Sequence, residues 1–169
     1  MDDFRIIYKI LKSHKIVNEI IYQESMKILE HRDGSPYEDM VVIDARTGSV
    51  LFRVTDANEI GKLSITHEQY DSIINYDGNI VLLHNHPNGS RPSYTDILKL
   101  KENNILSVVA VGHDGSVFEV SELNTQFDIE KFWNEAYNTC KEQCKDDILA
   151  RNYATDALYR MDVIKVKKR

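Results

Sequence analysis

Hydrophobic residues recur at helical spacing twice near the start of the chain: Phe4, Ile6, Ile7, Ile10 and Leu11 within Asp3 to Leu11, then Ile20, Ile21, Met26, Ile28 and Leu29 within Val17 to Leu29. The spacing predicts two helices, or one with a break near Ser13-His14-Lys15. Asp33-Gly34-Ser35-Pro36 ends the pattern with turn residues. Glu38 to Asp44 then reads as a β-branched strand, and Thr47-Gly48 reads as a hairpin turn into a second strand over Ser49 to Val54. Thr66 and Gln69 have capping-box spacing at the head of a helix through Ile74, which Asn75, Asp77 and Gly78 end.

The run Asn79-Ile80-Val81-Leu82-Leu83 is almost wholly apolar, the mark of a strand buried on both faces, and it leads straight into His84. Tyr94 to Glu102 reads as a helix with Ser93 as its N-cap. Ile105 to Val111 and Ser116 to Val120 are two further strands. From Ile129 to about Tyr159 the pattern is helical, with Phe132, Trp133, Ala136 and Tyr137 at core-packing positions.

A chain of 169 residues, 42% hydrophobic and 28% charged, suits one soluble globular domain with a helical extension and is far from the composition of a disordered tail. The net charge of -6 argues against a nucleic-acid surface. Lys165, Lys167, Lys168 and Arg169 form a local basic run, expected as a solvated end. No apolar run approaches a membrane span, and Met1-Asp2-Asp3 does not start like a secretory signal, so the expected location is cytoplasmic. Cys140 and Cys144 share a predicted helix face, without the spacing of a CxxC motif or short-range partners for a zinc site. Two free thiols suit a reducing compartment.

The chemistry concentrates in Leu83-His84-Asn85-His86-Pro87, continuing to Pro92-Ser93-Tyr94-Thr95-Asp96. Alternate strand residues point the same way, so His84 and His86 present two imidazoles on one face while Asn85 points away. Asp96, in the first turn of the next helix, completes a His2Asp set suited to Zn2+ with a fourth position left open. Zinc lowers the pKa of bound water to about 7. Glu38, leading a strand of the same sheet, is the candidate general acid/base, with Glu30 and Asp39 as rivals. Ser93 is placed either to support an oxyanion or to cap its helix. His14, His31, His67 and His113 have no motif around them, and Asp44 and Arg46 are read as bracing the hairpin or standing near the cleft.

Glutamate, His84-Asn85-His86-Pro87, a loop, then Ser93 and Asp96 together resemble the JAB/MPN (JAMM) metalloprotease domain, and the wording is closest to its bacterial RadC-like and phage members. The resemblance covers Met26 to Val120; nine residues separate His86 from Asp96, one fewer than is usual in the family. It implies a three-layer α/β/α, cytidine-deaminase-like fold with a mixed sheet, a domain over residues 1–124 and a C-terminal helical extension with basic tail over 125–169.

It also implies one zinc per chain on His84, His86 and Asp96, acid/base work by Glu38 and oxyanion support by Ser93. The activity implied is a zinc-dependent peptidase or isopeptidase acting on a peptide tail or a ubiquitin-like conjugate. The alternatives are a non-catalytic scaffold or partner-binding module, with the C-terminal helices docking a partner or forming a homodimer, and a RadC-like role in DNA metabolism. Substrate choice is expected to lie in the loops Asp56 to Leu63 and Asn88 to Arg91.

Overall fold

The computed structural model describes residues 15–168; the amphipathic stretch from Asp3 to Leu11 and His14 lie outside the described residues. Helix α1 (Lys15–His31) buries Val17, Ile21 and Ile28, which its periodicity places on one face. Strands β1 (Met40–Asp44) and β2 (Val50–Val54) pair antiparallel across the predicted turn. Asp44 braces that turn by accepting from the Thr47 and Arg46 amides and from the Tyr76 hydroxyl at 2.5 Å, which holds its carboxyl at a pKa of about 2.

Helix α2 (His67–Ile74) opens with the anticipated reciprocal cap: the Thr66 hydroxyl accepts from the Gln69 amide, and the Gln69 side chain accepts from the Thr66 amide. Strand β3 (Ile80–His86) is buried along its whole length. It pairs antiparallel with β1 and parallel with β4 (Ile105–Gly112), and the short helix α3 (Tyr94–Lys99) makes the crossover. Then follow β5 (Val117–Ser121), α4 (Ile129–Cys144), α5 (Asp147–Arg160) and β6 (Lys165–Lys168).

The described residues form a mixed six-stranded sheet in the order β2-β1-β3-β4-β5-β6 with five helices. On one face α1 packs on Val41, Ile43, Val81, Leu83 and Val109. On the other, Met40, Val42, Leu82 and Val108 join Ile73, Ile97, Trp133, Ala154 and Leu158 of the remaining helices in one cluster. Residues after Thr125 thus share the core of those before it. No described helix is long and apolar enough to cross a membrane.

At the end of the chain Lys165 and Lys167 are exposed, as a solvated end would have them, but the segment has a regular structure that the sequence reading did not give; Arg169 lies outside the described residues. Lys165 to Lys168 form β6, with Val166 paired to Val120 and Lys167 to Glu119. Alternation turns Val166 onto the core cluster and sets Lys167 beside Glu119. Cys140 and Cys144 place their Sγ atoms 3.8 Å apart on one face of α4.

Candidate metal centre

His84 and His86 stand at the C-terminal end of β3, beside the parallel neighbour β4, where loops splay away from a sheet and leave a crevice. Across the ladder His84 opposes Ala110 and His86 opposes Gly112, so small neighbours leave room for two imidazoles on the face that carries Leu82. The loop after His86 turns at Gly89, whose φ of +65° suits glycine. A Cβ there would also lie within 2.5–2.6 Å of the Asp114 carboxyl, so any other residue would have to displace that side chain.

The ligand atoms of His84, His86 and Asp96 all lie within 4.8 Å of one another. Nε2 of His84 is 2.8 Å from Nε2 of His86, and the two nitrogens are each 3.5 Å from an Asp96 carboxylate oxygen. Donors held at about 2.0 Å from one tetrahedral zinc stand about 3.3 Å apart, and each histidine nitrogen meets a different Asp96 oxygen at a distance near that value. The nitrogen and oxygen donors are of the kind a divalent cation takes, and the nine-residue loop brings Asp96 to the two histidines.

Nδ1 of His86 lies 3.0 Å from the Ser90 carbonyl. A proton donated there leaves the Nε2 lone pair facing the cluster, the outer contact that orients a metal-binding histidine. Burial alone would raise the Asp96 carboxyl, but the charge of His84 and bonds from His84, His86 and Ser93 hold it well below the usual range. Burial lowers His86, and the Asp96 carboxylate outweighs it to leave His86 raised.

Glu38 precedes β1, two residues before Met40, so alternation sets it on the face of His84 and His86, and it lines the same cavity. Burial raises its carboxyl above the ordinary value, against the pull of the two histidines. Asp39 is excluded as the base: its buried carboxylate is tied to Arg32 Nε at 2.5 Å and His31 Nδ1 at 2.7 Å, behind the strand. Glu30 is exposed on α1, away from the cavity lining.

Asn85, to which the sequence reading gives no role beyond pointing away from the imidazoles, holds this arrangement. Fully buried, it accepts from the Asp39 amide at 2.7 Å and donates to the Tyr37 carbonyl at 3.0 Å, gripping the backbone on both sides of Glu38. A polar residue at an inward position of an otherwise apolar strand was the available signal.

Ser93 performs its capping role: its hydroxyl accepts from the Asp96 amide at 3.3 Å and donates to Asp96 Oδ2 at 2.6 Å. Its own amide donates to the same oxygen at 2.7 Å. Ser93 lines the cavity, but its one proton orients the Asp96 carboxylate; the oxyanion role requires that proton to turn away from Asp96.

The C-terminal helices complete the support. Tyr94, first residue of α3, stacks on Trp133 at 4.2 Å and 9°, and Arg91 lies over the Tyr159 ring at 4.4 Å while pairing with Asp156.

The cluster opens on a cavity of about 920 Å³. Two imidazoles and a carboxylate with an open side, and a raised carboxyl across from them, are equipped to bind a divalent cation and move a proton beside it. Among the described residues this is the one group of three such ligands. His67 and His113 lie outside it, and His31 is taken up by Asp39. No family model, curated protein or solved structure matches the chain.

Proposed function

We propose that the protein is a zinc-dependent peptidase or isopeptidase of the JAB/MPN kind that hydrolyses an amide bond. The observation that carries this reading is the convergence of His84, His86 and Asp96 on one point, open to a cavity that Glu38 shares. The central β3 with helices on both faces of a mixed sheet, and the order Glu38, His84, His86, Ser93, Asp96 along the chain, support the family assignment.

Zinc in such a site supplies Lewis acidity, activating water and polarising a carbonyl. The other roles belong to the chain's own residues. Glu38 takes a proton from the attacking water and delivers it to the amide nitrogen as the C–N bond breaks, giving a carboxylate product and a free amine. Its burial suits it to hold and release that proton. Asn85 fixes the backbone around it, Ser93 orients the Asp96 carboxylate, and the cavity receives the substrate. The cellular substrate in this reading is a peptide tail or a lysine-linked conjugate.

The test is hydrolysis of fluorogenic peptides and of lysine-linked ubiquitin-like conjugates by the zinc-loaded full-length chain, beside Glu38→Gln. Zinc-dependent cleavage that falls about 100-fold or more in the variant, with its zinc retained, is the expected result. A zinc-loaded protein that cleaves none of them would transfer the reading to a scaffold module.

A further inference from the structure

We propose that the cavity beside the histidine cluster is a recognition pocket for a bulky apolar side chain flanking the scissile amide; this rests on the hydrolase reading above. The cavity measures about 920 Å³, at the upper end of ordinary ligand pockets and far more than a main chain with glycine on both sides of the amide would fill. Its apolar wall starts at the cluster itself. Leu82 precedes His84 by one pleat on the same face, Met40 opposes His84 in the ladder, and Val108 lies one pleat before Ala110. Ile73 of α2, Leu98 of α3 and Ile65 of the preceding loop line the same space.

A carbonyl brought to the cluster therefore carries its neighbouring side chain along a floor of leucine, methionine and valine. At the mouth, Ile60 is 74% exposed and Tyr70 38%, apolar surface left in water beside an open pocket. Ile60 sits on a tight turn that a Glu59–Lys62 bridge and a 2.8 Å ion pair close, so it is presented by a defined loop. A ligand covering both would bury that surface, and the driving force scales with the apolar area of its side chain.

The experiment is calorimetric titration of the zinc-loaded full-length protein with the hydroxamates of glycine, leucine and phenylalanine. The hydroxamate group is constant, so differences within the series report the side chain. The leucine and phenylalanine compounds are expected to bind about ten-fold or more tightly than the glycine compound, as burial of such a side chain requires. In Ile65→Trp, which fills the cavity from the loop, the ratio falls toward one. Equal affinities across the series, in a protein that binds the glycine compound, would overturn the pocket and leave the metal reading standing. The wild-type series decides this even if Ile65→Trp does not fold. Failure to take up zinc, or to bind any hydroxamate, would overturn the reading on which the pocket rests.

Discussion

The Tyr159 hydroxyl donates to the Pro92 carbonyl at 2.6 Å, so the last long helix of the chain holds the loop between two candidate metal ligands. Pro92 immediately precedes Ser93, whose hydroxyl and amide both bind Asp96 Oδ2. The Arg91 contacts with Asp156 and Tyr159 anchor the same turn of loop. A segment beyond the span that resembles the family is thus connected, in two hydrogen-bonded steps, to the third candidate ligand.

Removing that hydroxyl leaves the Pro92 carbonyl without this donor, and Tyr159→Phe is expected to lower stability by about 1–2 kcal/mol in urea unfolding. It is also expected to weaken zinc retention against a chelator, because the loop that sets Asp96 is loosened. A variant matching the wild type in both measurements would show that α5 does not position the loop.

Asn85 is the counterpart on the other side of the site. Asn85→Ala strands the Asp39 amide and the Tyr37 carbonyl in a buried setting, a loss of about 1–3 kcal/mol. The zinc content should stay at the wild-type level while kcat/KM falls, since the substitution frees Glu38 without touching a ligand. Loss of zinc with activity per bound zinc unchanged would contradict this division of roles.

Much of this arrangement is legible in the sequence. The apolar run before His84 announces a buried central strand, and alternation alone puts both imidazoles on one face. The caps at Thr66 and Ser93 follow from three-residue spacings that local hydrogen bonds decide. What is not legible depends on partners far along the chain. A Lys-rich tetrapeptide becomes β6 only because Val163 and Ile164 are buried just before it and β5 offers a free edge. Asn85 reads as pointing away from the site, and it does, yet its value lies in meeting backbone 46 positions earlier.

Glu119 predicts a pH dependence of stability. It is buried on β5 with Oε2 unpartnered, and burial lifts its carboxyl to a pKa of about 7 against the pull of Lys167. The folded state then keeps a proton that the unfolded chain, with an ordinary value of 4.5, has already released. Its contribution is fully present below pH 4.5 and is lost as pH rises through 7, by about 3 kcal/mol at most. Glu119→Gln should flatten the urea-unfolding profile across that window. An equal slope in wild type and variant would refute the assignment.

The most direct test of the account is zinc stoichiometry by mass spectrometry on untagged full-length protein, beside His84→Ala and Asp96→Ala. The account predicts about one zinc per chain in the wild type, lost in both variants, whose ligand sets are broken. A wild-type protein that holds no more zinc than the two variants, after zinc has been supplied and the excess removed, would contradict it.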